Sequence, residues 1–104
     1  MGSLTFRAGV AMVVRRGDGH VLVFERRDAP GSWQLPQGGI DADETPVEAA
    51  WRELSEETGL DESVVRLVDE TSDWISYLWP ANIRKQSDRG RSHIGQTQKW
   101  FLFG

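Results

Sequence analysis

Runs of apolar residues separated by turn-forming residues divide the chain into short strands around one helix. Residues 7–16 and 20–27 are two such runs, and the Gly-Asp-Gly sequence at residues 17–19 is typical of a tight turn between paired strands. They are therefore predicted to form a hairpin. Residues 80–96 are polar and predicted to be irregular. The remaining extended segments are predicted at residues 33–39, 64–70, 74–79 and 98–103.

The helix is predicted between residues 45 and 58 from its end signals and its apolar spacing. Thr45 suits the N-cap, Pro46 the first helical position, and Glu48 the third position of a capping box. Gly59 is placed to end the helix in a left-handed conformation. A buried stripe recurs at three- and four-residue steps: Val47, Ala50, Trp51, Leu54 and Thr58. Strands around one long helix predict an α/β fold in which a mixed sheet packs against the helix.

Three glutamates share a second face of this predicted helix. Glu53, Glu56 and Glu57 stand at i, i+3 and i+4, so their side chains are neighbours. Their charges repel one another, and they lie near the C-terminal end of the helix, where the dipole disfavours negative charge. A divalent cation such as magnesium would remove both penalties, because it prefers carboxylate oxygens as ligands. For such a cluster taken alone, the simpler alternative is a solvent-exposed acidic face.

The residues around the glutamates have a recognisable spacing. Gly38 is followed six positions later by Glu44, and residues 52–60 read R-E-L-S-E-E-T-G-L. Every defining position of the Nudix box is filled, so the chain resembles the Nudix hydrolase family. The resemblance implies an α/β/α sandwich. It also implies a metal-dependent hydrolase of nucleoside diphosphates linked to another moiety.

The same resemblance implies roles for individual residues. Glu53, Glu56 and Glu57 would hold Mg²⁺, or alternatively Mn²⁺, together with the backbone carbonyl of Gly38. Arg52 would brace the glutamates, a role that suits the bidentate pairing of arginine with carboxylates. Water would attack phosphorus in line, with Glu53 or Glu57 as the general base. The alternatives are an ordinary surface arginine at position 52 and a simple loop glycine at position 38.

Outside the box, three further segments narrow the substrate. Residues 32–40 (S-W-Q-L-P-Q-G-G-I), 74–77 (W-I-S-Y) and 94–101 (I-G-Q-T-Q-K-W-F) are similar to the bacterial RNA 5′-pyrophosphohydrolases. That branch also includes the dinucleoside polyphosphate hydrolases. The resemblance implies removal of pyrophosphate from the 5′-triphosphate end of RNA, leaving a monophosphate. A dinucleoside polyphosphate is the alternative substrate.

The branch also implies a set of substrate contacts: Arg27, Ser32, Gln37, Tyr77, Arg7 and Lys99. Arg27 would contact the substrate phosphates. The phosphate path would be lined by Ser32, Gln37 and Tyr77. Arg7 would stack on a base, since the planar guanidinium is used in this way in RNA recognition, and Lys99 would face the same cleft. Each position also has a structural alternative, such as an exposed arginine at a strand end for Arg27.

Composition limits the class of protein. A length of 104 residues predicts one domain, residues 1–104, and a net charge of −4 argues against a general nucleic-acid coat but not against binding one nucleotide end. The absence of cysteine excludes disulfides and thiolate metal sites. The sequence has neither a long apolar run nor a signal-peptide core, which predicts a cytoplasmic protein without a membrane span.

The position of the last residue raises a further expectation. Members of the branch continue beyond the position matched by Gly104 with more sheet and a C-terminal helix. We therefore expect a truncated Nudix domain whose apolar strand at residues 98–103 lies at a poorly covered edge. A homodimer could complete such a fold by exchanging a segment. Two other interpretations stay open: a Nudix enzyme acting on free nucleotides, and a nucleotide-binding Nudix-like module without catalysis.

Overall fold

The elements of the fold follow the alternation of strands and helix that the sequence predicts. The computed structural model describes residues 4–80 and 92–104, including all side chains except those of Leu4 and Ser92. Within these residues the elements are β1 (Leu4–Val14), β2 (Phe24–Glu25), β3 (Trp33–Gln34), β4 (Gln37–Gly39), α1 (Pro46–Thr58), β5 (Leu67–Glu70), β6 (Ile75–Leu78) and β7 (Ser92–Phe103). Residues 81–91 of the predicted irregular segment lie outside the described residues.

One mixed sheet holds most of the strands. Its order is β4-β1-β7-β5, and β6 also pairs with β7. Strands β1 and β7 run parallel along their whole length, from the Leu4–Ser92 pair to the Val14–Phe103 pair, whereas the other pairs are antiparallel. The predicted α/β fold with a mixed sheet is confirmed. The expectation of an edge strand at residues 98–103 is wrong, because these residues pair with β1 on one side and with β5 and β6 on the other.

Helix α1 forms as its end signals predict. The Thr45 side chain accepts from the backbone N–H of Glu48, and the Glu48 carboxylate accepts from the backbone N–H of Thr45, which completes the capping box. At the other end, Gly59 has a φ of 75° and donates its N–H to the carbonyl of Ser55. A left-handed residue at this position is easiest for glycine, which has no Cβ.

The core lies between α1 and one face of the sheet, here called the helix face. It is formed by fully or nearly fully buried side chains of three elements: Val10, Met12 and Val14 of β1, Phe101 and Phe103 of β7, and Ala49, Ala50 and Leu54 of α1. The Trp51 and Phe103 rings meet edge to face with centroids 4.8 Å apart. Burying each large apolar side chain contributes roughly 1.5–3 kcal/mol. This packing holds α1 in place over β1 and β7.

The predicted hairpin is largely replaced by other pairings. Only Arg15 and Val21 form a bridge across the turn, and β2 pairs with β3 in a separate two-stranded sheet. The reason is competition for the edge of β1. Residues 37–39 pair with residues 9–11, and Met12 donates to the carbonyl of Pro36, so only the end of β1 is left for the hairpin.

Other strand boundaries also differ from the prediction: β1 spans Leu4–Val14 rather than residues 7–16, and the segment predicted at residues 33–39 is divided between β3 and β4. Strand β5 begins at Leu67 rather than at residue 64, because the preceding residues form a turn in which Val64 donates to the carbonyl of Asp61. Strand β7 begins at Ser92 rather than at residue 98. Its polar first half was predicted to be irregular, but pairing with β1 and β6 satisfies its backbone groups.

Candidate active site

Arg52 is the centre of a network that ties α1 to the segment before it. Its Nε donates to Oε2 of Glu44 at 2.7 Å and its Nη2 to Oε1 at 2.9 Å, so the pair is bidentate. Nη1 donates to Oε1 of Glu53 at 2.7 Å, and Nη2 also donates to the Gly39 carbonyl at 2.9 Å. The network therefore joins β4, the loop after it and the glutamate face of the helix.

The ion pairs of this network favour the charged forms of both Arg52 and Glu44. Hydrogen bonds to Glu44 and then to Glu53 raise the pKa of Arg52, and its guanidinium lowers the pKa of Glu44 from the ordinary glutamate value. Only 14% of the Glu44 side chain is exposed, against 59% for Glu56. In the sequence, Glu44 stands out only as a position of the box pattern, which predicts no role for it. The spacing of eight residues between Glu44 and Arg52 was the available signal.

Gly38 leaves room for the Glu53 side chain. A Cβ added at Gly38 would lie 2.0 Å from Cδ of Glu53. Because Gly38 pairs with Val10, whose side chain is in the core, position 38 faces the same side of the sheet as α1. Glycine is required here by close approach rather than by an unusual backbone angle, since the positive-φ glycines of the described residues lie elsewhere.

Gly39 does the same for the opposite face of the sheet. A Cβ added there would lie 3.1 Å from Nη2 of Arg7. Alternation along β4 therefore puts the Glu53 carboxylate beside one glycine and the Arg7 guanidinium beside the next. The two glycines separate two different chemical environments by a single edge strand.

Glu57 differs from Glu44 in that its surroundings raise its pKa rather than lower it. Although the residue is exposed, partial desolvation of its carboxylate is the main cause of the raised pKa; the charges of Glu53 and Glu56 raise it further, whereas the backbone N–H of Gln37 partly offsets them. A bound cation would relieve this repulsion. The chemistry of neighbouring carboxylates therefore fits a hard divalent cation.

The three glutamates do not form a closed chelate as they stand. Among residues 4–80 and 92–104, no three histidine, aspartate or glutamate side chains are arranged to hold a metal ion. The Glu53 carboxylate is instead bonded to Arg52, which also reaches Oε2 of Glu56 at 3.4 Å. Arg52 is thus the present partner of Glu53 and Glu56, two of the predicted metal ligands.

A polar cleft of about 830 Å³ opens on the sheet face away from α1. Four of the predicted substrate-binding residues line it: Arg7, Arg27, Gln37 and Tyr77. Arg26 also lines the cleft, but its guanidinium is bound to Asp28 at 2.6 and 2.9 Å. Arg7 and Arg27 form no ion pair with a described acidic residue, so they supply the cleft with positive charge.

The other two predicted contacts lie elsewhere. Ser32 is in the exposed turn between β2 and β3, where its backbone bonds to Ala29 and Arg26. Lys99 pairs with Val10, which in turn pairs with Gly38, so its position on β7 is on the helix face. The structure therefore places Lys99 on the side of the glutamates rather than in the cleft.

Two further glutamines contact the predicted substrate residues, and sequence analysis gave neither a role. Gln96 accepts the hydroxyl of Tyr77. Gln98 is only 3% exposed and donates to the side-chain carbonyl of Gln37 at 3.0 Å. The spacing of two positions between Gln96 and Gln98 was the available signal. It predicts that both side chains lie on the same face of a strand, but it does not predict their partners.

The described residues contain no helix that is long and apolar enough to cross a membrane.

Comparison with known proteins gives consistent matches across the chain. Residues 5–102 match the NUDIX domain. An RNA pyrophosphohydrolase of Rhodospirillum rubrum is 45% identical over 100 residues, which are 96% of this chain and 59% of the relative. An RNA pyrophosphohydrolase of Coxiella burnetii is 47% identical over 97 residues, which are 93% of this chain and 42% of the relative. The chain thus spans about half the length of these relatives.

Among solved structures, the dihydroneopterin triphosphate pyrophosphohydrolase of E. coli has a similar fold. It superposes with a TM-score of 0.76 at 26% identity, covering 94% of this chain and 68% of the other.

Proposed function

The chain belongs to the Nudix family, and from this we propose that it is a magnesium-dependent pyrophosphohydrolase acting on the 5′-triphosphate end of RNA. The product would be RNA with a 5′-monophosphate. Curated relatives with 45% and 47% identity carry the name RNA pyrophosphohydrolase. Since they are longer than this chain, activity of this chain is part of the proposal.

The observation that carries the proposal is the relation between the two sides of β4. The Glu53 carboxylate lies beside Gly38 on one side, and Arg7 of the cleft lies beside Gly39 on the other. A polyphosphate joined to a nucleoside has two parts that bind differently. The phosphates bind to cations, and the nucleoside must fit into an open cleft. An extended substrate crossing the edge of β4 would meet both.

The chain's own residues would divide the work as follows. Glu53, Glu56 and Glu57 would hold the magnesium ions together with the Gly38 carbonyl, which would neutralise phosphate charge and activate a water molecule for attack. Arg52 would keep Glu53 in place through the bidentate pair with Glu44. One oxygen of Glu53 already accepts from Arg52, so Glu57 is the better candidate to take the proton of the attacking water.

In the cleft, Arg27 would stabilise charge on the phosphoryl oxygens, because its guanidinium is not bound to a described carboxylate. Gln37 and Tyr77 would line the phosphate path, and Arg7 would contact the first nucleotide. Ser32 and Lys99 stay in the proposal as weaker members, since neither lines the cleft. We also propose that residues 1–104 act as one unit in the cytoplasm, where triphosphorylated RNA would be available.

A second candidate function is hydrolysis of a free nucleotide or of a dinucleoside polyphosphate. The structural relative from E. coli, at 26% identity, is named for a small-molecule triphosphate. The same carboxylates and cleft would serve such a substrate. The non-catalytic alternative is disfavoured because Glu53, Glu56 and Glu57 are all present.

The deciding experiment measures phosphate and pyrophosphate release from 5′-triphosphorylated RNA, with diadenosine tetraphosphate and nucleoside triphosphates in parallel. Each substrate is tested with magnesium, with manganese and with neither. We expect magnesium-dependent release that is fastest from RNA. Faster release from the small substrates would favour the second candidate. Binding without release from any substrate would favour the non-catalytic module.

A homodimer is a separate part of the proposal. Among the strands of residues 4–80 and 92–104, β6 pairs with β7 alone, and its apolar side chains Ile75 and Leu78 are 46% and 59% exposed. A second copy covering β6 would bury them. Light scattering after size-exclusion chromatography would test this, and a monomer at all concentrations would contradict it.

A further inference from the structure

Gln98 is a buried amide that lines a small cavity adjoining the substrate cleft, and Gln37 lines both. Its exposed fraction is 3%, although glutamine is usually a surface residue. It lies on β7 opposite Gly9, and a Cβ at Gly9 would approach Cγ of Gln98 at 4.0 Å. That separation is an ordinary contact, whereas the same Cβ would lie 2.8 Å from the Gly38 carbonyl oxygen, so Gly9 allows the close approach of β4 that brings Gln37 within reach of Gln98. A buried amide costs free energy unless it is hydrogen-bonded, so its partner matters.

The partner is the side chain of Gln37. Nε2 of Gln98 donates to Oε1 of Gln37 at 3.0 Å, and Nε2 of Gln37 lies 3.3 Å from Oε1 of Gln34. The three amides thus form a chain with one direction. Gln37 lines both the main cleft and a side cavity of about 220 Å³, to which Gln98 and Gln34 also contribute.

The direction of this chain decides which end of the Gln37 amide faces the substrate. A glutamine amide has an acceptor oxygen and a donor NH₂. Since Gln98 donates to the side-chain oxygen of Gln37, the NH₂ of Gln37 is turned away from Gln98. The hydrogen bond from this NH₂ to Gln34 uses only one of its two N–H groups. A polyphosphate is an acceptor and binds donors.

On the basis of the proposed function, we infer that Gln98 is a positioning residue that orients the Gln37 amide so that its NH₂ meets the substrate phosphates. Gln98 itself stays out of contact with the substrate. Its effect is therefore expected in substrate binding rather than in the chemical step, because the glutamates of α1 are on the other face of the sheet.

The test uses three variants that keep the size of the side chain. In Gln98→Glu, the carboxylate can only accept, so Gln37 would turn its NH₂ towards residue 98 and its oxygen towards the phosphates. Gln98→Met removes the bond without reversing the amide. Thr97→Val is the matched control. Thr97 is the neighbour of Gln98 on β7 but does not line the cleft, and the change removes its side-chain hydrogen bond with Ser76 of β6.

A hydrogen bond to a charged group has a typical strength that corresponds to about tenfold or more in affinity, so KM for 5′-triphosphorylated RNA should rise by at least about tenfold in Gln98→Glu. In Gln98→Met we expect a rise of about threefold, since the Gln37 amide is released but not reversed. Thr97→Val should leave KM unchanged, and kcat should stay within about twofold in all three. A fall in kcat with unchanged KM, or equal effects of Glu and Met, would overturn the inference.

A new negative charge at position 98 could also repel the substrate directly. The Gln37→Ala background separates the two causes, because there is then no amide to reverse. If Gln98→Glu still raises KM tenfold in that background, repulsion is the cause and the inference is wrong. A lost or much smaller effect supports it.

Folding is checked by thermal unfolding of each variant. If Gln98→Glu does not fold, Gln37→Glu takes its place. Its carboxylate can still accept from Gln98 but offers no donor to the phosphates. We expect the same loss of about tenfold in binding; affinity equal to that of the parent protein would overturn the inference.

Binding is measured independently of turnover, so that the two proposals can fail separately. The probe is 5′-triphosphorylated RNA with a 3′ fluorophore, titrated by anisotropy with calcium in place of magnesium. If the parent chain binds but does not hydrolyse this RNA, the enzymatic proposal fails, and the order of Kd values still tests Gln98. If the parent chain does not bind the probe, both proposals are overturned.

Discussion

The two faces of the sheet are built in different ways. On the helix face, the glutamates, Arg52, Glu44 and Gly38 all come from residues 38–57, a contiguous stretch. On the cleft face, Arg7, Arg27, Gln37, Tyr77 and Gln98 come from five separate places, which strand pairing brings together. The first site is local in sequence, whereas the second exists only when the sheet is complete.

This difference has consequences for how each site responds to change. The local site is held by a capped helix and by an arginine network with short bonds, so its geometry depends on few other elements. The cleft depends on the parallel pairing of β1 with β7 and on the antiparallel pairing of β1 with β4. Changes in the helix face should alter kcat, and changes in the cleft should alter KM.

The largest expected effect is at Glu57. In Glu57→Gln, kcat should fall by at least about 10³-fold, because the fixed charge that holds and balances the cation is lost. The melting temperature should be unchanged or higher, since the raised pKa of Glu57 shows that its charge is unfavourable in the folded protein. Steady-state kinetics and thermal unfolding measure both.

The control is Glu62→Gln, which removes an exposed charge in the turn after α1. Its activity should match that of the parent protein. A Glu57→Gln enzyme with a near-normal rate would remove the helix face from the catalytic proposal.

The two adjacent glycines provide the sharpest comparison of the faces. In Gly38→Ala, the Cβ would lie 2.0 Å from the Glu53 side chain, so the carboxylate must move. A displacement of this size can reduce kcat by about 100-fold, and overpacking costs about 1–3 kcal/mol of stability. In Gly39→Ala, the Cβ meets the flexible end of Arg7 at 3.1 Å, and we expect a rise in KM of only a few-fold.

Kinetics of both alanine variants on one RNA substrate would measure this difference. If both variants lose kcat equally, the two faces are not functionally separate, and the division proposed here is wrong.

The cleft is tested by Arg27→Ala. Loss of a charge-assisted contact to phosphate should raise KM by about tenfold with a smaller change in kcat. Increasing ionic strength should reduce the difference, since the interaction lies in an open cleft. Arg66→Ala removes an equal charge at an exposed position outside the cleft and should have the kinetics of the parent protein.

The smallest effect concerns pH and Glu44. Because Arg52 lowers its pKa, the folded protein binds fewer protons at Glu44 than the unfolded chain does. The pair therefore stabilises the fold above the ordinary value of 4.5 and is lost as the pH falls from there through the lowered pKa. We expect the melting temperature of Glu44→Gln to be lower than that of the parent protein at about pH 7 and to approach it at about pH 3.

Thermal unfolding at both pH values measures this, with Glu70→Gln as the control at an exposed position of β5. If the difference in melting temperature between Glu44→Gln and the parent protein stays constant with pH, the charge of Glu44 is not the source of the stability that the pair provides.

Sequence alone predicts the helix side of the molecule well. The capping box at Thr45, the left-handed Gly59 and the buried stripe with Leu54 are all present in the structure. These features depend on contacts within a few residues, so spacing is sufficient to predict them. The position of Gly38 before the helix was also informative, although its physical reason, the Glu53 side chain beside it, became visible only in the structure.

Strand partners were predicted less well. Residues 20–27 have the apolar character of a strand, yet β4 occupies the edge of β1 that this strand would have needed. Residues 92–97 are too polar to suggest an interior strand, yet two neighbouring strands pair with them. Lys99 was expected in the cleft, but its place in β7 is on the opposite face from Gln98.

What the sequence by itself determined is the glutamate helix, its caps, the box spacing and the family to which the chain belongs. What only the tertiary structure decided is which residues meet across the sheet: Gln98 with Gln37, Tyr77 with Gln96, and Arg7 beside Gly39. The physical reason is the range of the interactions. Helix caps and i, i+4 neighbours are set within a few residues of chain, whereas strand register is set by competition among distant segments for the same backbone partners.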